Sequence, residues 1–415
     1  MLQKSLLKKW LYVCVIFSLL SWVSCQTDEP EKKPEDKPEV KPDKYEPMAT
    51  VSAIDYFRNK GINVGLNIGN SLDAYNSMSE SGETAWGNPP ITQVFFNGVK
   101  TSGFDLVRIP ITWLGHVGPA PDYEIEEKLM ERVAEVVGYA KNAGLVAVIN
   151  FHHDGSTESS SKEIGWLSIN KALANDENKL EITAKFESMW KQIAAHFETY
   201  GDYLIFEAFN ELHDGRWFWE SRNVPDAQYK VINEWNQVFT DAVRGTGGNN
   251  RTRYLVIPGY CAGAEALFNN NFEMPNDTAP DRLIVAFHYY RPDDFALNGR
   301  SENWGTPAEK TTIDTLFGRM KTQFIDNNIP VFIGETGPIR NSTNPPSDTA
   351  KQNRLDYIAY MFGKAKENEL VPAYWDNGNF GNSGERFGLI NRYNGRPQNE
   401  ECTAVVETMI NAIKN

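Results

Sequence analysis

From residue 49 onward, short apolar runs bounded by turn residues alternate with longer segments in which apolar positions recur every three or four residues. Continuous apolar runs predict strands buried on both faces, and the longer period predicts helices with one buried stripe. Eight runs have the length of a strand: 63–68, 105–109, 146–151, 203–208, 254–257, 283–287, 331–334 and 371–375. Between them, Ile125, Leu129, Val133, Val136 and Ala140 share one helical face, as do Phe186, Met189, Ile193 and Phe197. Two later segments repeat the pattern with Ile313, Phe317, Met320 and Phe324, then Leu355, Ile358, Phe362 and Ala365. Strict strand–helix alternation implies an α/β fold with a parallel sheet, and eight strands suit a single closed (β/α)8 TIM barrel. No second composition shift and no repeat of 20 to 50 residues interrupts residues 49–415. An open doubly wound sheet would place a glycine-rich phosphate turn after its first strand, and Gly65, Gly69 and Asn70 do not fit that fingerprint.

The first 48 residues follow different rules. Lys4, Lys8 and Lys9 precede an apolar stretch from residue 10 to 23, the arrangement of a secretory signal and too short for a comfortable membrane span. It ends at Val23-Ser24-Cys25, which resembles the lipobox of bacterial lipoproteins, although Trp22 stands where that motif usually has Leu. Residues 1–24 are therefore expected to be a signal peptide and Cys25 the lipidated mature terminus; an ordinary cleaved signal with an incidental cysteine is the competing reading. Residues 25–48 are rich in Glu, Lys, Asp and Pro, with Pro30, Pro34, Pro38 and Pro42 at every fourth position. Such a stretch is stiff, solvated and coreless, and reads as a spacer holding the domain of residues 49–415 off a surface. Of four cysteines, only Cys261 and Cys402 fall in that domain, where two buried free thiols are expected in preference to a bridge.

Charge narrows the partners. The chain carries −14, and loss of residues 1–24 removes three lysines and no acid, giving about −17. An acidic surface repels a phosphate backbone, so nucleic acid is excluded as a partner.

In a barrel of this kind chemistry gathers where the strands end at their carboxyl face. The polar residues at the ends of the apolar runs are Arg108, which closes the second, His152 and His153 after the third, and Asn210 and Glu211 after the fourth. His288 and Tyr290 follow the sixth, Glu335 the seventh and Trp375 the eighth. Glu211 and Glu335 are each preceded by an apolar or small stretch that sets them in the barrel mouth. Two partly buried carboxyls tuned in opposite directions can cleave a glycosidic bond, one donating a proton and the other attacking. Structural strand-end acids in salt bridges are the alternative on spacing alone. His152, His153 and Asp154 lack a further ligand at a familiar metal spacing, and no G-x-S-x-G elbow occurs, so neither a metal nor a cofactor is expected.

Several blocks, taken in order, resemble glycoside hydrolase family 5. They are Gly65-Leu66-Asn67-Ile68-Gly69-Asn70, Thr84-Ala85-Trp86-Gly87-Asn88-Pro89, Val107-Arg108-Ile109-Pro110, Asn150-Phe151-His152-His153-Asp154, Phe206-Glu207-Ala208-Phe209-Asn210-Glu211, His288-Tyr289-Tyr290 and Ile333-Gly334-Glu335. The early blocks are most similar to subfamily 4, endo-β-1,4-glucanases that include xyloglucanases and mixed-linkage glucanases. The resemblance implies a retaining mechanism with Glu335 as nucleophile and Glu211 as acid and later base, their carboxyls roughly 5 to 5.5 Å apart. It implies that Asn210 bonds the 2-hydroxyl, that Arg108 and Tyr290 keep Glu335 ionised and aimed, and that His288 orients Glu211. His152, with His153 beside it, would donate to sugar hydroxyls, and Trp375 would form the flat floor. Trp86 and His116 lie in or near matched blocks and are expected at a glycone-side subsite. Trp217 and Trp219 would flank the leaving group or merely pack. Asn67 and Asn70 would reach substrate or tie the first turn. The loops 154–178 and 336–347 are long and polar, and are expected to shape the cleft. The chain then acts as an exported, membrane-anchored monomeric glycoside hydrolase on β-glucan polysaccharide or oligosaccharide. An endo-mannanase and a noncatalytic glycan-binding surface lipoprotein are the alternatives.

Overall fold

The computed structural model describes residues 44–77, 80–155, 157–159, 162–163, 165–216 and 224–414. The signal peptide, Cys25, the spacer up to residue 43, Trp217 and Trp219 lie outside the described residues. Eight parallel strands close into a barrel: β1 (Gly65–Ile68), β2 (Leu106–Ile109), β3 (Val146–Ile149), β4 (Leu204–Glu207), β5 (Leu255–Gly263), β6 (Leu283–Tyr289), β7 (Val331–Thr336) and β8 (Val371–Asp376). Each pairs with its neighbours in chain order, and β8 returns to β1, so the fold is a (β/α)8 TIM barrel as the alternation predicts. The strands are legible because nearly all their residues are buried, which produces unbroken apolar runs rather than alternation.

The four predicted helical faces belong to helices Glu127–Asn142, Asp176–His196, Pro307–Gln323 and Asp348–Glu367. Pro307–Gln323 starts with a capping box between Thr306 and Glu309, with proline at its first position. Three further ring helices, Gln93–Thr101, Asp226–Gly245 and Glu400–Lys414, complete the outer layer.

Helix Ala53–Lys60 closes the bottom of the barrel. Ser52 caps it by accepting the Asp55 amide, and Gly61 ends it in the left-handed region at φ 64°. Its Ala53, Tyr56 and Phe57 pack with barrel-interior residues including Leu106, Val148, Ile205, Val256 and Phe332 in one apolar cluster. Tyr56 stacks on Tyr254 with ring centroids 4.6 Å apart and donates to the carbonyl of Asp202. The domain also begins slightly before the expected boundary at residue 49. The Glu46 amide donates to the Thr199 carbonyl at 2.8 Å, the Glu46 carboxylate accepts the Gly201 amide, and the Pro47 carbonyl accepts the Asp202 amide. Backbone bonds of this kind fix a segment whatever its composition, which is why composition alone places the edge too late. Cys261 and Cys402 are both buried and are not bridged to one another.

With the bottom sealed by apolar side chains, the carboxyl ends of the strands are the place for polar groups. Registers there align the residues that matter: Asn67 on β1 is level with Arg108 on β2 and Trp375 on β8, and His288 on β6 is level with Glu335 on β7. The β6 registers shift next to His288, and Cys261 and Ala262 in the adjoining β5 have φ of 55° and 44°. Irregularities at this end re-aim side chains that a regular ladder would point elsewhere.

Candidate active site

A cleft of about 590 Å³ opens over the strand ends, lined among others by Trp86, His152, Asn210, Glu211, Glu335 and Trp375. Arg108 lies beneath it, fully buried, and its guanidinium organises the site. Nε donates to Glu207 at 2.7 Å, one terminal nitrogen to Asn67 at 3.0 Å and Glu335 at 2.8 Å, and the other to Asn210 at 2.8 Å. A buried cation is tolerable only when paired and bonded on all sides, and two carboxylates meet that need here. Glu207 also accepts from Asn150 at 2.8 Å.

The two predicted carboxyls face one another. Glu211, Glu335 and His288 place a donor or acceptor atom each within 4.8 Å of the others. Their surroundings differ. Glu335 accepts from Arg108 and, at 3.1 Å, from the hydroxyl of Tyr290. Burial pushes its carboxyl above the ordinary value, and its surroundings, among them the His288 ring and the Arg108 guanidinium, pull it back. Among the described residues no cation touches Glu211 directly; its Oε1 lies 2.6 Å from His288 Nδ1. Burial raises the Glu211 carboxyl to about 8, with Arg108 opposing and Glu385 adding to the rise. Burial also lowers His288 to about 4, so its ring is neutral and the short contact is a hydrogen bond, not an ion pair. The Tyr290 phenol is pushed well above its ordinary value by burial and by Glu335, so it stays a donor.

Glycine is required at two positions. A Cβ on Gly334 would meet His288 Nε2 at 3.0 Å, and one on Gly69 would meet the Trp375 ring at 2.8 Å. Bare backbone therefore lets both rings reach their places. Trp375 lies parallel to His152, at 7° between planes, and both line the cleft. Burial holds His152 well below its ordinary value, as it holds His153 at about 4, so both are neutral. Asn210 spends its carbonyl oxygen on Arg108, which leaves its amide nitrogen to the cleft. Trp86, 39% exposed, packs edge-on to Tyr75 and against His153, forming one wall.

Asn67 takes the supporting one of its two expected roles: it is fully buried, takes Arg108 on its oxygen, and donates to the carbonyls of Gly334, Ala373 and Tyr374, tying β1 to β7 and β8. Asn70, by contrast, lines the cleft. His116 is not among the cleft-lining residues; its loop folds back through the Val117–Ile125 bridge, and its ring pairs with Glu126 at 2.7 Å. Besides Asn70 and Trp86 after β1 and the histidines after β3, the described loop residues that line the cleft include Arg291, Asp293, Leu297 and Asn298 after β6 and Glu385 and Phe387 after β8. None of the described residues of loops 154–178 and 336–347 lines it.

Glu207, Asn150 and Glu385 were not singled out from sequence. Glu207 had a signal, an acid inside an apolar strand that must be neutralised by a buried cation such as Arg108; Glu385 in an irregular loop had none. Among the described residues two groups have the donor types of a metal site, Asp73 with His152 and His153, and Glu211 with His288 and Glu335. Their oxygens are already committed: Asp73 accepts the amides of Asn70 and Ser71, and Glu335 accepts Arg108 and Tyr290. Donor sets satisfied by N–H and O–H groups do not call for a cation.

Known proteins share this arrangement of chain and fold. Residues 69–381 match the family described as Cellulase (glycosyl hydrolase family 5). Endoglucanase A of Paenibacillus barcinonensis is 36% identical, over 84% of this chain and 86% of its own. The xyloglucan-specific endo-β-1,4-glucanase of Bacteroides ovatus is 35% identical, over 84% of this chain and 68% of its own. The solved GH5-4 broad specificity endoglucanase from Bacteroides salanitronis is 41% identical, covers 85% of this chain and 93% of its own, and superposes with a TM-score of 0.78. By sequence over most of its length, and by a barrel closed in the same way, the chain belongs to glycosyl hydrolase family 5.

Proposed function

We propose that the chain is a retaining endo-β-1,4-glucanase that cleaves β-glucans by double displacement, with Glu335 as nucleophile and Glu211 as acid and then base. The observation that carries this reading is two carboxyls within 4.8 Å, one bonded to a cation and the other raised to about 8 beside a neutral histidine. An inverting pair needs roughly 6.5 to 9.5 Å to admit water, so the short separation favours direct attack. In the first step a Glu335 oxygen bonds to the anomeric carbon while the leaving oxygen takes the Glu211 proton. In the second, Glu211 takes a proton from water, whose oxygen displaces Glu335 and restores both groups. Asn210 would hold the 2-hydroxyl through its free amide nitrogen, Trp375 would carry the ring, and His152 and His153 would contact its hydroxyls.

Relatives named for xyloglucan and for broad specificity support xyloglucan and mixed-linkage glucan as substrates. The cleft lies in a domain preceded by a spacer and a lipobox-like Cys25, which suits a monomeric enzyme tethered outside the cell and working on polymer. Reducing ends released from xyloglucan, barley glucan, carboxymethylcellulose and glucomannan test the assignment. Cleavage of the glucans is expected; release from mannan alone would make the chain a mannanase, and binding without cleavage of any would make it a capture protein.

The pH profile is a second test. Glu211 works protonated, so kcat/KM should fall as pH rises through about 8. Glu335 works ionised, so kcat/KM should also fall as pH drops through a value above the ordinary carboxyl range. Glu385 lines the cleft and its charge adds to the rise at Glu211, so Glu385→Gln should move the alkaline limb to lower pH. An unmoved limb would remove Glu385 from the tuning of the acid.

A further inference from the structure

A second cavity, of about 570 Å³, adjoins the cleft and shares His288, Tyr290 and Arg291 with it. Its remaining walls come from Glu265 just after β5 and from one face of helix Pro307–Gln323, where Thr311, Thr315 and Arg319 follow one another at each turn. Resting on the function proposed above, we propose that this cavity is a leaving-group-side subsite for a neutral sugar branch carried by the glucan backbone.

Its side follows from what it includes. It shares both His288, the partner of Glu211, and Tyr290, which donates to Glu335, but Trp375 and His152, which face the sugar kept by Glu335, are not in its wall, and its far wall follows β5, the neighbour of the strand that leads to Glu211. Its direction follows from the helix. Thr311, Thr315 and Arg319 belong to the outer ring, so a group entering the cavity leaves the barrel mouth between strand ends and departs from the line of the main chain.

Its chemistry suits an uncharged, hydroxyl-rich ligand. Arg319 is forked onto Glu265, at 2.6 and 3.4 Å, and lies 3.7 Å over the Phe268 ring, so the two charges cancel and are held in place. Arg291 is compensated by Asp293 at 3.5 Å. The Thr311 hydroxyl donates to Pro307 within its own helix, leaving acceptor lone pairs outward, and Thr315 is exposed. Leu316 and Tyr289 supply apolar surface for a ring face. Among its described residues the wall has balanced charge, hydroxyls and a small apolar area, which recognise a sugar better than an ion or a lipid.

The test is steric. Thr315→Trp places an indole in the cavity from an exposed helical position, and Thr311→Trp does so one turn earlier. On a xylose-branched gluco-oligosaccharide, each should lower kcat/KM by about tenfold or more while changing the unbranched oligosaccharide by less than about twofold. An aryl cellobioside, which has no sugar on the leaving side, should be unaffected, and unchanged melting temperatures exclude misfolding. Equal losses on branched and unbranched chains would make the cavity a backbone subsite, and no loss on either would empty it of function; both overturn the proposal. A wild-type protein that cleaves only unbranched glucan also overturns it and leaves the glucanase assignment standing. Inactivity on every β-glucan removes that assignment, and this one with it.

Discussion

Glu335→Gln is expected to lower turnover of soluble β-glucan by at least about four orders of magnitude, equivalent to about 5 kcal/mol of transition-state stabilisation. The amide is nearly isosteric with the carboxylate but cannot form the glycosyl ester. The fold should survive, because Arg108 keeps Glu207 at 2.7 Å along with Asn67 and Asn210, so no uncompensated cation remains buried. Circular dichroism and melting temperature should match the parent within a few degrees. A 2-deoxy-2-fluoro aryl cellobioside, which forms the ester but hydrolyses slowly, should label the parent on the peptide containing Glu335 and leave the variant unlabelled. Label on another peptide, or a variant that turns over at a substantial fraction of the parent rate, would assign the nucleophile elsewhere.

The strands and the residues at their ends were legible from the chain because of how the barrel is built. Strands buried on both faces are continuous apolar runs, and the first polar residue after such a run has only the mouth to occupy. That logic locates Arg108, Asn210, Glu211, His288, Glu335 and Trp375, and the structure brings all six together. It fails where a polar side chain points inward but bonds backbone instead of facing a ligand. Asn67 has the same place in the pattern as Arg108, yet its partners are carbonyls of β7 and β8, remote in the chain. Glu207 was hidden for the opposite reason: it lies inside the apolar run, and its pairing with Arg108 depends on strand register rather than on local spacing. Loops were least legible. Length and polarity favoured 154–178 and 336–347, but the described residues near the mouth come from the segments after β1, β3, β6 and β8, because loop direction is set by contacts that composition does not encode. The plug helix Ala53–Lys60 is short, and only its packing against Leu106, Ile205 and Phe332 makes it stable.

The asymmetry between the two carboxyls leads to the second large effect. Glu211→Ala should reduce cleavage of β-glucan polymer by about a thousandfold, within the range that a positioned proton donor supplies, while hydrolysis of a dinitrophenyl cellobioside should fall far less. A sugar alkoxide leaves only with a proton, and Glu211, raised to about 8 beside the neutral His288, is the group equipped to deliver it. Dinitrophenolate leaves without one, so Glu335 can still attack and the ester still forms. Its hydrolysis then becomes slow, because the same Glu211 would have deprotonated the incoming water. The aryl substrate should therefore show a burst of phenolate followed by a low steady rate, and azide, which needs no base, should accelerate that rate. The alkaline limb near pH 8 should disappear from the aryl reaction in this variant, since the group that titrates there is gone. Equal losses on polymer and aryl glycoside, with no burst, would show that Glu211 holds the site together without donating a proton, and the acid would have to be sought elsewhere in the cleft.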